Sequence, residues 1–474
     1  MANFNADIHC HPTMKPYGNS FLKNWKTDPS RINSKNTSDK NSIYFNDPPT
    51  PQDLEIEKLG ITRFSQSNLH SLFKGNVRII FSSLYPIEKG FLVNKIHPGK
   101  ITDFILQYFT GLGPYRIDSV QEVKDYFPDL EAEYNFLTQL NNQTIKIDGQ
   151  DIKYNLITNQ TELQNSLNDN TCFNIAVINT IEGAHSFGCG MDPINNPATN
   201  FPQKIIDNII KVKNWQHPPL FITFAHHFYN ELCGHEKSLD KISFAVDQSM
   251  GLGKDFTPLG LNALHTLLDK SLGKRILIDI KHLSKHTSRK QFFDIIETDE
   301  RYKNEKIPII VSHAAVIGSG SLLDDFNFSK ADINFSDDEI IKIGKSEGLF
   351  GVMFDQGRIA SKSKMMTTMK FAGARKWSEL IWLQIAHIAK VLDNAGLPAW
   401  NIQTLGTDFD GIINSINGFY TAENLPNFRN HLLEHAQKFI KKYSLKMSYN
   451  KIEPHEIVSK IMSSNAYDFL LKNF

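Results

Sequence analysis

The stretch NADIHCH, residues 5–11, places two histidines one residue apart at the end of a strand-like run. In a strand, residues i and i+2 point to the same face, so His9 and His11 aim into one space, which is metal-ligand geometry. A single such pair near a terminus is as readily a solvent-facing one, and the rest of the chain has to decide. Seven further short, apolar, β-rich runs follow: NVRIIFSSLY from Asn76, CFNIAVINTIEG from Cys172, PLFITFAHH from Pro219, RILIDIKH from Arg275, IPIIVSH from Ile307, GLFGVMFD from Gly348 and IQTLGTDFDG from Ile402. Several are almost continuously apolar, as parallel strands covered on both faces are.

Helical periodicity fills most of the intervals. TPLGLNALHTLLDK opens with Thr257 as N-cap and Pro258 at the first helical position and ends near Gly273. SDDEIIKIGKSEG starts at the cap Ser336 and stops at Gly348, and KWSELIWLQIAHIAKVLDNAG is long enough to cover the outside of a barrel. Eight strands alternating with helices predict an α/β fold, a (β/α)8 TIM-type barrel with inserted loops and a C-terminal helical extension over residues 422–474. Residues 1–474 then form one barrel domain. Residues 27–75 form an inserted region after the first strand, polar as far as residue 52, and a second polar loop, residues 360–376, follows the seventh strand. Loops after barrel strands ring the mouth, so both are candidate lids.

Composition narrows the function. Lys+Arg and Asp+Glu are both 51 among 474 residues, so the basic field that binding to phosphate backbones requires is missing. Four scattered cysteines make neither a disulfide framework nor a CxxC zinc module. The start has no basic segment followed by an apolar one, and no run reaches the roughly 18 apolar residues that span a bilayer. The expectation is a soluble, cytoplasmic protein whose partner is a small-molecule substrate, with neither nucleic acid nor membrane, and with a homodimer left open.

The polar residues fall in a pattern. His9 and His11 end strand one, Glu182 strand three, His226 and His227 strand four, His282 strand five, His313 strand six and Asp408 strand eight. All are carboxyl ends, which converge on one mouth in this fold. A lone histidine after a strand is usually a hydrogen-bonded one, and Asp410 in GTDFDG reads as a helix cap, but six coincidences at the same end of one barrel point to a site. Two histidines from strand one can hold one divalent ion and His282 and His313 a second, with Glu182 bridging. Nitrogen and oxygen ligands without thiolate suit two catalytic metal ions, with zinc expected and iron, manganese or cobalt as alternatives. Two ions about 3.5–4 Å apart lower the pKa of water to near neutrality and polarise a carbonyl. Asp408 then serves as general base and, in turn, general acid.

These residues carry a resemblance to the membrane (renal-type) dipeptidase family of the amidohydrolase superfamily, over most of the chain. ADIHCHP resembles the family's opening Asp-x-His-x-Asp motif, IEGAHSFG its Ile-Glu-Gly-Gly-His stretch and FITFAHHFYN its Thr-Leu-Thr-His strand. RILIDIKHLS is similar to its Ile-Asp-Leu-Ser-His, PIIVSHAAV to its Pro-x-Ile-x-Ser-His-Ser and GTDFDGI to its Gly-x-Asp-Phe-Asp-Gly. The resemblance implies that His9, His11 and Glu182 bind one metal, that Glu182, His282 and His313 bind the other, that Asp408 is the catalytic aspartate and that His226 faces the substrate. His226 is preferred to His227 because its place after ITFA matches and because adjacent strand residues face opposite sides. Two departures stand out. His11 replaces the family's aspartate, and Ile333 stands where the family has the arginine that grips the substrate's terminal carboxylate, a bidentate task isoleucine cannot perform. Without a replacement cation, neutral amides are expected to be cleaved at least as well as free dipeptides. Lys281, Lys285, Arg358 and the lysines of SKSKMM are the available replacements, and Arg358, just after strand seven, is the best placed for substrate binding.

The leading expectation is therefore a dinuclear metal-dependent hydrolase cleaving an amide or peptide bond. TatD-like metal-dependent nucleases, which share the two strand-one histidines, are the alternative within enzymes, distinguishable by Mg²⁺-dependent nuclease activity. A barrel retained as a non-catalytic binding protein is the alternative outside them, distinguishable by metal content.

Overall fold

The computed structural model describes residues 4–23, 32–57, 62–93, 107, 110–240, 243, 245–370 and 373–474. Residues 27–31 and 58–61 of the anticipated first insertion, and 371–372 of the second loop, lie outside them. Ten strands form one sheet: β1 (Asn5–Cys10), β2 (Val77–Leu84), β3 (Ile145–Ile147), β4 (Gln150–Leu156), β5 (Phe173–Glu182), β6 (Phe221–Thr223), β7 (Leu277–Asp279), β8 (Ile310–Ala314), β9 (Leu349–Val352) and β10 (Gln403–Leu405). Eight of them pair in parallel in the order β1-β2-β5-β6-β7-β8-β9-β10. Each falls on one of the eight runs of the sequence, with β8 reaching one residue past IPIIVSH, to Ala314. The ring closes between β10 and β1, where the His11 amide donates to the Phe409 carbonyl at 2.9 Å and the Asp408 amide to the His9 carbonyl at 3.0 Å. The (β/α)8 barrel is thus the observed architecture.

The hairpin β3–β4 was not anticipated. β4 runs parallel to the first half of β5, from Phe173 to Val177, while the short β6 pairs only with Ile181 and Glu182 at its other end. The hairpin therefore covers the length of β5 that β6 is too short to reach. Its turn carries Asp148 and Gly149 at φ +50° and +81°, the Asp-Gly pairing that suits a tight hairpin turn. IKIDGQDIKY, with alternating apolar residues around that turn, holds the signal.

Two buried carboxylates tie strand ends together inside the barrel. Asp7 accepts from the amides of His9 (3.1 Å) and Thr407 (3.0 Å), linking β1 to the chain after β10. Asp279 accepts from the Lys281 amide (3.0 Å), the Ser312 amide (3.0 Å) and the Thr223 hydroxyl (2.6 Å), linking β7 to β8 and β6. Burial raises both carboxyls, that of Asp7 to about 6.

Helices cover the outside. Pro258–Leu268 is capped by the Thr257 hydroxyl, which accepts from the Gly260 amide at 3.0 Å, and it stops at Leu268 rather than near Gly273, with a separate turn at Lys270–Leu272. Asp337–Lys345 begins with a Ser336–Glu339 capping box. The second polar loop contains a helix, Lys362–Lys370, and the first insertion contains Pro51–Glu57 and Leu69–Lys74. C-terminal helices Leu425–Lys442, Pro454–Ser459 and Asn465–Asn473 follow, the last packing on β1, β9 and β10. Among the described residues no helix is long and apolar enough to cross a membrane.

A buried ion pair locks the segment after β1 to the helices that follow β2. Arg116, 2 % exposed, meets both oxygens of Asp129 at 2.8 and 2.7 Å, and Asp129 also accepts from the Tyr17 hydroxyl at 2.7 Å. The guanidinium lies 5.1 Å from the Tyr17 ring and 4.9 Å from the Phe21 ring. Asp129→Ala strands this charge out of water and is expected to cost about 3–5 kcal/mol. Urea denaturation with an unchanged m-value measures it; a loss below about 1 kcal/mol would mean that water reaches Arg116.

Candidate active site

Strand ends deliver the cluster. His9 lies inside β1 and His11 directly after it, Glu182 is the last residue of β5, His313 lies in β8, and His226, His282 and Asp408 each follow their strand by three residues. Their buried side chains meet at the carboxyl-end mouth. Glu182 is the hub: its Oε2 is 3.1 Å from His11 Nε2, and its Oε1 is 3.4 Å from His9 Nε2, 3.5 Å from His226 Nε2 and 3.8 Å from His313 Nε2. Asp408 Oδ1 is 3.6 Å from His11 Nε2 and 3.8 Å from His9 Nε2, and its Oδ2 is 4.0 Å from His313 Nε2. The His9 and His313 rings stack at 4.1 Å.

Three groups have ligand atoms within 4.8 Å of one another: His9, His11 and Asp408; His9, Glu182 and His313; His226, His227 and His282. His282 thus stands nearer His226 and His227, at 4.8 Å between ring centroids in each case, than His313, at 5.4 Å. The argument that His226 and His227 face opposite sides fails here. β6 ends at Thr223, so strand alternation does not extend to these residues, and both rings turn toward His282. His227 differs in its other partner, since its Nδ1 meets the Ser238 hydroxyl at 2.6 Å.

Buried histidine nitrogens lack hydrogen-bond partners at this site: both of His9, Nε2 of His11 and Nδ1 of His282. A buried polar atom without a partner is costly, and coordination to a divalent ion removes the cost. The protonation pattern agrees at two of the rings, whereas at His11 burial is outweighed by Asp408 and Glu182, which raise it to about 10. Burial, reinforced by neighbouring positive charge, holds His282 and His313 well below the ordinary histidine range, leaving neutral rings with lone pairs to give. Burial opposes ionisation of Glu182, but His226, His9 and His11 hold it well below the usual carboxylate range. The donor set therefore fits a divalent metal.

Fixed tautomers aim several rings. His11 Nδ1 meets the Ser83 carbonyl at 3.0 Å, which turns Nε2 toward Glu182 and Asp408. His226 Nδ1 meets Glu88 Oε2 at 2.5 Å, leaving Nε2 toward Glu182. Glu88 also accepts from the Phe228 amide at 3.0 Å and the Tyr85 hydroxyl at 3.2 Å. Both Glu88 and Tyr85 were missed in the sequence, although an acid just beyond the second strand, in LYPIE, offered the same signal as Glu182. His185 of IEGAHSFG braces the same loop, with Nε2 at 2.7 Å from the Pro86 carbonyl.

Local backbone needs explain the glycines of two motifs. Gly183 has φ +91°, and a Cβ there would lie 2.2 Å from His185 Nδ1. A Cβ on Gly411 would lie 2.0 Å from Asp408 Oδ1, so the chain after β10 can turn past this carboxylate only with glycine. Asp410 is no helix cap. It accepts from the Ser67 amide (2.7 Å), the Gln66 amide (3.0 Å) and Lys15 Nζ (2.9 Å), pinning the first insertion to the barrel rim.

Ile333 is buried, at 1 % exposure. Arg289 passes beside it but is spent on the carbonyls of Leu283 (3.1 Å), Ile333 (3.2 Å) and Asn334 (3.1 Å) and on Glu339 (3.2 Å). Lys285 pairs with Asp332 at 2.9 Å, and Lys362 is exposed. Arg358, half-buried on the short helix Gln356–Ile359 after β9, donates to the Ser238 carbonyl.

Fold and cluster together describe a (β/α)8 barrel with a histidine–carboxylate centre at its mouth. No family model matches the chain, and no curated protein is similar to it. Solved structures are similar along most of its length. The dipeptidase AC, a metallopeptidase, shares 14 % identity at TM-score 0.49, covering 99 % of this chain and 98 % of its own. A metallopeptidase from Rhodobacter sphaeroides, liganded with a phosphinate mimic of the dipeptide L-Ala-D-Ala, shares 13 % identity at TM-score 0.47, with 86 % and 91 % covered. The probable dipeptidase PvdM from Pseudomonas aeruginosa shares 13 % identity at TM-score 0.48, with 86 % and 90 % covered.

Proposed function

We propose that this protein is a dinuclear metal-dependent hydrolase of amide or peptide bonds, with zinc as the metal and a small molecule as substrate. The observation that carries the reading is the meeting, at one barrel mouth, of buried imidazoles without hydrogen-bond partners around Glu182 and Asp408. His9, His11 and Glu182 would hold one ion, and Glu182 and His313 the other together with His282, whose ring lies nearer His226 and His227. Bound there, two divalent ions supply an activated water and polarise the scissile carbonyl.

The chain's own groups do the rest. Asp408 takes the proton of the attacking water on a carboxylate oxygen and delivers it to the departing amine nitrogen. Burial raises its pKa, and the nearby Glu182 charge adds to the rise against the pull of His11 and His9, which makes it a better base than a free carboxylate. His226, oriented by Glu88, presents Nε2 to the substrate carbonyl. Burial disfavours its protonation, but Glu182 and Glu88 raise its pKa, which favours a protonated donor facing the oxygen on which negative charge develops. Arg358, at the rim, contacts the substrate.

The test is metal analysis of the purified protein alongside a screen of dipeptides and their amides. Two ions per chain are expected, and His282→Ala is expected to retain one, because water is a poorer ligand than imidazole. Unchanged stoichiometry and zinc affinity in that variant would remove His282 from the ligand set, and wild-type protein without metal or amidase activity would overturn the reading.

A further inference from the structure

Asp7-Ile8-His9 on β1 and Asp279-Ile280-Lys281, which begins on the last residue of β7, are built alike. In each, the buried aspartate turns into the barrel and accepts the amide of the residue two positions on, His9 at 3.1 Å and Lys281 at 3.0 Å. Lys281, just beyond β7, therefore stands two residues after its inward aspartate as His9 does on β1, in the ring of side chains that forms the mouth. His282, beside it, belongs to the cluster.

Unlike His9, Lys281 is no metal ligand. Its side chain is 1 % exposed, and Nζ has no hydrogen-bond partner. The nearby carboxylates are occupied: Asp279 by Thr223 and Ser312, Asp408 by His9 and His11. Burial is the main cause that lowers the Lys281 pKa, to about 7; the Arg358 charge adds to it, and the Asp408 and Asp279 carboxylates oppose it. With those carboxylates already held by other partners, an anion between Lys281 and Arg358 relieves both their repulsion and their lost hydration.

We infer that Lys281, with Arg358, forms the subsite for an anionic group of the substrate, a carboxylate one residue away from the scissile amide. This rests on the hydrolase reading above and narrows its substrates to free acids. It also supplies the cation lost at Ile333, by a side chain that follows β7, so that neutral amides are not favoured.

Binding separates this inference from the hydrolase reading. Alanyl-alanine and its C-terminal amide are titrated calorimetrically into zinc-loaded Asp408→Asn protein, with and without Lys281→Met. Lys281→Met is expected to weaken the free acid by about tenfold to 150-fold, the worth of a hydrogen bond to a charged group, and to leave the amide unchanged. Unchanged amide binding shows at once that the variant is folded. Should Lys281→Met fail to fold, Arg358→Gln, at a half-buried position, is expected to give the same split. Equal losses for both peptides, an unchanged free acid, or a parent protein that binds neither peptide would each overturn the assignment. Failure of the hydrolase reading looks different: selective free-acid binding would persist while wild-type protein turned nothing over.

Discussion

Asp408→Asn is expected to keep both metal ions and lose turnover by about 100-fold or more, the usual worth of a general acid–base group. Asparagine preserves the shape and one oxygen of the side chain, so the contacts to His9 and His11 at 3.8 and 3.6 Å keep a polar partner. What it loses is the ability to take a proton from water and return it to the amine. The fall should appear in kcat at unaltered zinc content. A variant with wild-type kcat would make Asp408 a structural residue and send the proton elsewhere, whereas loss of zinc together with activity would make it a ligand. The tight turn at Gly411 predicts a second route to the same defect, because any side chain there collides with the Asp408 carboxylate.

Glu182→Gln should act on the metal itself. Four imidazoles lie within 3.8 Å of this one carboxylate, which carries the negative charge that a pair of dications requires. Glutamine fits the space and removes the charge. Loss of even an outer partner of a metal site weakens binding about 10–100-fold, and a shared ligand should cost at least the upper end of that range. Dialysis against a competing chelator, followed by metal analysis, measures it. Zinc retention equal to wild type would show that Glu182 does not bridge. Paired with Asp408→Asn, the experiment separates chemistry lost with metal in place from chemistry lost with the metal.

Much of the site was legible before folding because strand ends are local features. Each of the residues named in the sequence follows or ends an apolar run that packing on both faces forces into a parallel strand, and a closed barrel brings such ends together whatever their distance along the chain. Glu88 escaped notice because nothing local distinguishes an acid that holds a histidine from one that caps a turn. Its role appears only once β2 and β6 lie on the same side of the mouth. The companionship of His226, His227 and His282 escaped for a related reason: β6 stops at Thr223, and beyond a strand's last ladder pair the side-chain direction follows the loop, not the alternation.

By itself, then, the sequence determined the eight strands, their covering helices and the ring of ligand-type residues at their carboxyl ends, since burial of alternating apolar elements is written in local pattern. Tertiary structure alone decided the closure through Asp7 and Thr407, the docking of the hairpin along β5, and the spending of Arg289 and Lys285 on structural partners. It also decided which cation stays unpaired at the mouth. Lysine and arginine are long and their partners distant in the chain, so only the folded packing shows that Lys281 is buried with nothing to bind.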